Sequence, residues 1–153
     1  MIVDTSALLA FFDNAEPRHR DVARVIDAAT EILVVSPYVL AELDYLVATR
    51  HGVQAELAML DELGGGASEL ACLDAVELRA ARTIVDRYAD LQIGLADASN
   101  VVLAQRFGQT SMVTLDRRHL SVLRALDGSA LTLVPRTGPA RFTEYRASEV
   151  LAC

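Results

Sequence analysis

The chain of 153 residues has no lysine and no tryptophan, and only two cysteines. Without lysine there is no P-loop lysine to grip a nucleotide phosphate, no Schiff-base chemistry and no Ser–Lys dyad. All 14 strongly basic residues are therefore arginine. Cys72 and Cys153 lack metal-ligand spacing, so a zinc finger or disulfide scaffold fits poorly and a reducing cytoplasm is the expected compartment. No apolar run approaches the roughly 20 residues that a membrane span requires. The start, Met1-Ile2-Val3-Asp4, carries no basic stretch ahead of a long apolar one, so a secretory signal is not expected.

Positive charge is also scarce. The net charge is −7, which argues against tight nucleic-acid binding through bulk charge. The deficit is uneven. Residues 1–75 hold 13 acids against 4 arginines, and residues 76–153 hold 8 acids against 10 arginines. A nucleic-acid contact is therefore expected to draw mainly on the second half. With 52% hydrophobic and 23% charged residues, the composition is that of one globular domain with a sizeable core.

Short apolar runs alternate with longer helical patterns. Met1–Val3, Ile32–Val35, Leu70–Leu73, Ser111–Leu115 and Leu131–Val134 are too short for helices and mostly β-branched or aliphatic, which predicts strands. Between them, Ser6–Phe12 reads as a helix. Ser36-Pro37 is an N-cap followed by proline at the first helical position, and Val39, Leu40, Leu43, Leu46 and Val47 then form one stripe. Further helices are predicted over Ala55–Leu63, ending at Gly64-Gly65-Gly66, from Asp74 to about Tyr88, over the nearly all-apolar Ala96–Phe107, and over Arg117–Leu126. This alternation predicts an α/β fold with a parallel sheet covered on both faces. Residues 136–153 fall outside the alternation and read as a short tail or terminal helix on the surface.

Open α/β sheets hold ligands at the carboxyl ends of their strands. Two predicted strands run into an aspartate there, Asp4 and Asp116, and Glu42 and Asp97 lie near helix starts. Four converging carboxylates repel one another unless a cation joins them. Their oxygens suit Mg²⁺ or Mn²⁺, and that arrangement serves hydrolysis of a phosphodiester. Each acid also has a purely structural account. Asp4, Asp97 and Asp116 are placed to cap helices, and Glu42 lies at the edge of its helix's apolar stripe, where Asp44 marks the opposite edge equally well.

Four segments resemble a known family. Ile2-Val3-Asp4-Thr5-Ser6-Ala7-Leu8-Leu9-Ala10 looks like the opening motif of PIN-domain nucleases. Val35-Ser36-Pro37-Tyr38-Val39-Leu40-Ala41-Glu42-Leu43, Gly94-Leu95-Ala96-Asp97-Ala98 and Thr114-Leu115-Asp116-Arg117-Arg118-His119-Leu120 resemble the second, third and fourth. Size and motif order are similar to the VapC-type toxins of bacterial toxin–antitoxin pairs, over about residues 1–135. The resemblance implies a three-layer α/β/α PIN-like domain with a five-stranded parallel sheet. It implies a Mg²⁺- or Mn²⁺-dependent endoribonuclease acting on structured RNA such as tRNA or ribosomal RNA, a cognate VapB-type antitoxin, and a homodimer. It selects Glu42 over Asp44, makes Asp4, Glu42, Asp97 and Asp116 the catalytic set, and makes Asp4, Asp97 and Asp116 the metal ligands. Thr5, Ser6 and Thr114 are then expected to orient these carboxylates. Water as the attacking group implies products with a 5′-phosphate and a 3′-hydroxyl.

Competing readings fit less well. A haloacid-dehalogenase-type phosphatase needs a second aspartate where Ser6 stands, and both it and a receiver domain need a lysine. Serine and cysteine hydrolases need a base beside the nucleophile, whereas His19, His51 and His119 adjoin or neighbour arginines and read as solvated. A non-catalytic PIN-like binding module is the alternative from another class, and loss of one acid would favour it. For RNA, Arg117, Arg118 and Arg124 follow Asp116, with Arg117 and Arg124 two turns apart on one predicted helix. Arg18, His19 and Arg20 are a second candidate surface, and pairing of all these arginines with nearby acids is the plainer account.

Overall fold

The computed structural model describes residues 1–136. Five strands, β1 (Ile2–Val3), β2 (Leu33–Val35), β3 (Ser68–Leu70), β4 (Ser111–Val113) and β5 (Thr132–Val134), form one sheet in the order β3-β2-β1-β4-β5. Every neighbouring pair is parallel. Helices α1 (Thr5–Phe12), α2 (His19–Asp27), α3 (Pro37–His51), α4 (Val53–Gly64), α5 (Ala75–Arg87), α6 (Leu95–Arg106) and α7 (Arg117–Leu120) connect them. Strands of two or three residues cannot hold a sheet through their ladders alone, so packing on both faces must do it.

The strand sequences show how. Ile2, Val34, Met112 and Leu133 point into a core shared with Ala81 and Ile84 of α5 and Val101, Val102 and Leu103 of α6. Their neighbours Val3, Val35 and Val113 point to the opposite face, where Leu8 of α1, Val22 of α2, Leu43 of α3 and Met59 of α4 cover them. The period-two alternation thus divides consecutive aliphatic residues between two cores, giving the expected three-layer α/β/α arrangement.

Ser36 caps α3, its Oγ accepting the Tyr38 N–H at 3.2 Å with Pro37 next. Asp74 caps α5, accepting from the Val76 and Glu77 N–H groups while Glu77 accepts from Asp74 N–H. Gly52, at φ 83°, separates α3 from α4, so the fourth helix starts at Val53 and not at Ala55.

Two further expectations are corrected, and one element is new. The third strand is Ser68–Leu70, not Leu70–Leu73: it is an edge strand with Glu69 and Leu70 exposed, so no apolar run marks it. The helix after Asp116 ends at Leu120, not Leu126. Leu120 and Leu123 both reach the core, and the chain then bridges Arg124 to Ala130 across a turn at Gly128. α2 is a helix that no expectation covered: only Val22 is fully buried, and its charged residues hide the pattern. Of the expected tail 136–153, all but Arg136 lies outside the described residues.

Candidate active site

The strand order reverses at β1 and β4, and the carboxyl ends of these two central strands carry Asp4 and, two residues beyond Thr114, Asp116. Asp4 is only 4% exposed. It caps α1, its Oδ2 accepting from the Ser6 N–H at 3.3 Å, from Ser6 Oγ at 2.7 Å and from Thr114 Oγ1 at 2.9 Å. Its Oδ1 accepts from Asn100 Nδ2 at 3.3 Å. Burial pushes this carboxyl above its usual value of 3.8, and the donations from Ser6 and Thr114 offset that only in part.

The two hydroxyls also organise the loop after β4. Ser6 Oγ accepts from the Leu115 N–H at 2.9 Å and the Asp116 N–H at 3.2 Å, and Thr114 Oγ1 accepts from the Asp116 N–H at 3.0 Å. Each hydroxyl therefore spends its proton on Asp4 and its lone pairs on the backbone that presents Asp116.

Glu42, on an exposed face of α3, accepts a hydrogen bond of 2.7 Å from Thr5 Oγ1. Asp97 lies in the first turn of α6 and accepts from the Gly94 N–H at 3.1 Å. Burial raises the Asp97 carboxyl above 3.8, the Gly94 bond opposes this, and the charges of Asp4, Asp116 and Glu42 raise it further. All four acids thus share one field. Asp116 caps α7 through the His119 N–H at 3.2 Å, and its other oxygen lies 3.0 Å from His119 Nδ1. His119 was expected to be solvated; the short helix instead folds it back one turn onto the carboxylate.

Asn100 and Ser99 are further polar residues at the site, both fully buried in α6. Ser99 Oγ lies 2.7 Å from Ser36 Oγ and ties α6 to the cap of α3, the helix bearing Glu42. The signal was present in the sequence: Ser99-Asn100 interrupts an otherwise apolar helix within one turn of Asp97. A concavity of about 350 Å³ is lined by Leu9, Phe12, Val47 and His51 toward the far ends of α1 and α3 and includes none of the four acids.

Among the described residues, no three carboxylate, imidazole or thiol groups are drawn into a preformed metal cage. The donor set nonetheless fits a hard divalent cation. It is all oxygen, Asp4 and Asp97 are partly or wholly desolvated, and Asp97 is pushed up by its three acidic neighbours. A divalent cation would reverse that mutual repulsion.

The arginines divide. Arg117 directs its guanidinium to the carbonyls of Leu133 at 3.3 Å and Pro135 at 2.6 Å, so it fastens β5. Arg124 bonds the carbonyls of Ser121 and Leu123, and Arg18 pairs with Asp21 at 2.7 Å. Arg117 and Arg124 do not share a helical face, because the helix ends between them. Arg118 and Arg20 are exposed and make no ion pair among the described residues.

A parallel five-stranded sheet with acids at the carboxyl ends of its central strands is the architecture of a PIN-type nuclease, and the chain belongs to the PIN domain family, whose profile matches residues 1–125. Within it, the chain is 59% identical over 135 residues to Ribonuclease VapC26 of Mycobacterium tuberculosis (strain ATCC 25618 / H37Rv), covering 88% of this chain and all of that protein, which makes it a VapC-type ribonuclease. Two solved structures share the fold. One is the Mycobacterium tuberculosis VapC20, described as a sarcin-ricin loop cleaving toxin (TM-score 0.70, 21% identity, 75% of this chain and 88% of that one). The other is a toxin–antitoxin complex from Klebsiella pneumoniae (TM-score 0.60, 14% identity, 80% and 91%).

Proposed function

We propose that this ribonuclease is a Mg²⁺- or Mn²⁺-dependent endoribonuclease toxin that hydrolyses phosphodiester bonds in structured RNA, tRNA or ribosomal RNA, leaving a 5′-phosphate and a 3′-hydroxyl. The observation that carries this is the shared field of four carboxylates delivered by β1, α3, α6 and the β4–α7 loop, in which Asp97 feels Asp4, Asp116 and Glu42 together. Asp4, Asp97 and Asp116 would hold the cation, whose chemistry is to neutralise charge on the phosphoryl oxygens and the leaving oxygen.

The chain's own groups do the rest. Glu42, fixed by Thr5, orients the attacking water and accepts its proton. As the water oxygen bonds to phosphorus, the bond to the 3′-oxygen breaks, and that oxygen takes a proton from solvent water to leave as the 3′-hydroxyl. Ser6 and Thr114 hold Asp4 and the Asp116 backbone in one unit, so the two acids do not drift apart between turnovers. Arg118, beside Asp116, and Arg20 are the phosphate-binding side chains this reading favours, since Arg117, Arg124 and Arg18 already serve groups within the chain.

The same anionic centre suits inhibition by a VapB-type antitoxin through a guanidinium, which bridges two carboxylates and competes with the cation. The VapC26 similarity and the complexed Klebsiella pneumoniae structure support an antitoxin partner. A homodimer in the cytoplasm completes the reading; among the described residues no helix is long and apolar enough to cross a membrane. The test is purified protein with Mn²⁺ and a structured RNA, reading 5′-phosphate ends. Cleavage that a chelator abolishes supports the enzyme. RNA binding without cleavage in Mg²⁺ and Mn²⁺ would assign the chain to the non-catalytic alternative.

A further inference from the structure

α6 is buried along most of its length by Ala98, Val101, Val102, Leu103 and Ala104, and a wholly apolar helix would pack there without difficulty. Asn100 breaks that pattern at 0% exposure. Its Nδ2 donates to Asp4 Oδ1, while its own Oδ1 is buried and has no hydrogen-bond partner. An acceptor buried without a donor is destabilising, so the Asn100 carbonyl costs the fold stability that an apolar side chain here would not. Packing of α6 alone therefore does not account for asparagine at this position.

The geometry around Asp4 does. Three donations, from the Ser6 N–H, Ser6 Oγ and Thr114 Oγ1, converge on Oδ2. Among the described residues Asn100 alone bonds to Oδ1. Donors on one oxygen fix its position but leave the carboxylate free to swing about it. A donor on the second oxygen fixes the plane. Asn100 also stands one turn after Asp97 on the same helix, so this bond sets Asp4 relative to Asp97 directly.

We propose that Asn100 is a positioning residue that orients the Asp4 carboxylate, relative to Asp97, for binding the divalent cation. This rests on the metal-dependent reading given above. Partners that orient metal ligands change metal affinity by about 10–100-fold when removed.

The experiment is Mn²⁺ titration of the purified full chain by calorimetry, with thermal unfolding of the metal-free protein alongside. Asn100→Leu keeps the branching and heavy-atom count and removes the donor; Asn100→Ala serves the same comparison should the larger side chain not be accommodated. The expected result is a Mn²⁺ dissociation constant raised about 10–100-fold in a variant that remains folded, the metal-free melting temperature recording separately what the fold loses when Asp4 Oδ1 gives up its donor. Val101→Ala, which loosens the neighbouring turn of α6 without touching Asp4, should keep wild-type Mn²⁺ affinity. A folded Asn100 variant with wild-type affinity overturns the proposal and leaves the metal reading standing. Equal loss in Val101→Ala also overturns it, by assigning the effect to general loosening of the helix. A wild-type protein that takes up no Mn²⁺ overturns the metal reading and this proposal with it.

Discussion

Replacing Asp4 by asparagine should invert the order of thermal stability between wild type and variant when Mn²⁺ is added. Burial holds the Asp4 carboxyl above 3.8 in the folded protein, so folding favours its neutral form. At neutral pH the group is nevertheless ionised in the unfolded chain, and keeping or discharging it on folding costs about 1.4 kcal/mol per unit of upward displacement. Asparagine removes that cost while keeping the size. Its carbonyl can occupy the place of Oδ2 and keep the Ser6 and Thr114 donors. Its new amide then faces Asn100, whose Oδ1 has no partner, and a flip of the Asn100 amide supplies the acceptor.

In a chain of this length each kcal/mol moves the melting temperature by about 2–4 °C, so the metal-free variant should melt a few degrees higher. A cation at 100 times its dissociation constant adds about 2.7 kcal/mol to the wild type, or about 5–11 °C, and should add little to a variant lacking a ligand. Scanning calorimetry with and without Mn²⁺ reads both arms, and RNA cleavage should be lost. A variant that melts lower than wild type without metal, or gains as much from Mn²⁺, would refute the account of Asp4 as a buried charge awaiting a cation.

The stability advantage of Asp4→Asn should also depend on pH. A raised carboxyl pKa favours the fold below the unfolded value and loses that contribution as pH rises toward the folded value, so the advantage should vanish below about pH 3.8 and grow above it; urea denaturation across pH 3–7 measures this. Cleavage should need Mg²⁺ or Mn²⁺, with Ca²⁺ a poor substitute because it prefers longer and looser coordination, and full activity in chelator would contradict this. Thr5→Val should lower kcat about 10–100-fold with little change in KM, since it frees Glu42 and touches no substrate-binding group; steady-state kinetics decide. Arg118→Ala should reduce the salt dependence of RNA binding by about one unit of slope in an inactive Asp97→Asn background. Arg117→Ala should instead lower stability by about 1–3 kcal/mol through the lost carbonyl contacts of β5, seen in thermal melts.

The alternation of strands and helices was readable because Val, Ile and Leu in short runs have few other places to go than a sheet covered on both sides. The ends of β1 and β4 were readable for the same reason, since each run stops at a polar residue on the strand's carboxyl side. β3 was not, because an edge strand with one neighbour tolerates Ser68 and Glu69. The end of α7 was not either: Leu120 and Leu123 have helical spacing, but burying both against the core requires the chain to turn between them. At the site, periodicity left Glu42 and Asp44 equal, and the motif resemblance separated them. What no local pattern contains is the bonding between distant residues. Thr114 and Asn100 meet Asp4 from 110 and 96 positions away, and His119 pairs with Asp116 because a four-residue helix happens to return it there.

The placement of β1 in the middle of the sheet has a consequence for how the molecule comes into being. The first strand to leave the ribosome is flanked by β2 on one side and by β4 on the other, and β4 is made some hundred residues later. Until then Ile2 and Val3 have one open edge, and Asp4 lacks Thr114, the hydroxyl that crosses from the far side. A nascent or broken chain ending before Ser111 already carries Asp4, Glu42 and Asp97, yet it has neither Asp116 nor the strand that sets the loop beside them. Because domains fold as units, the centre closes only when nearly the whole nuclease has emerged. Translation thus sets the order of assembly: a copy that stops before Ser111 lacks the strand and the loop that bring Asp116 to the other three acids.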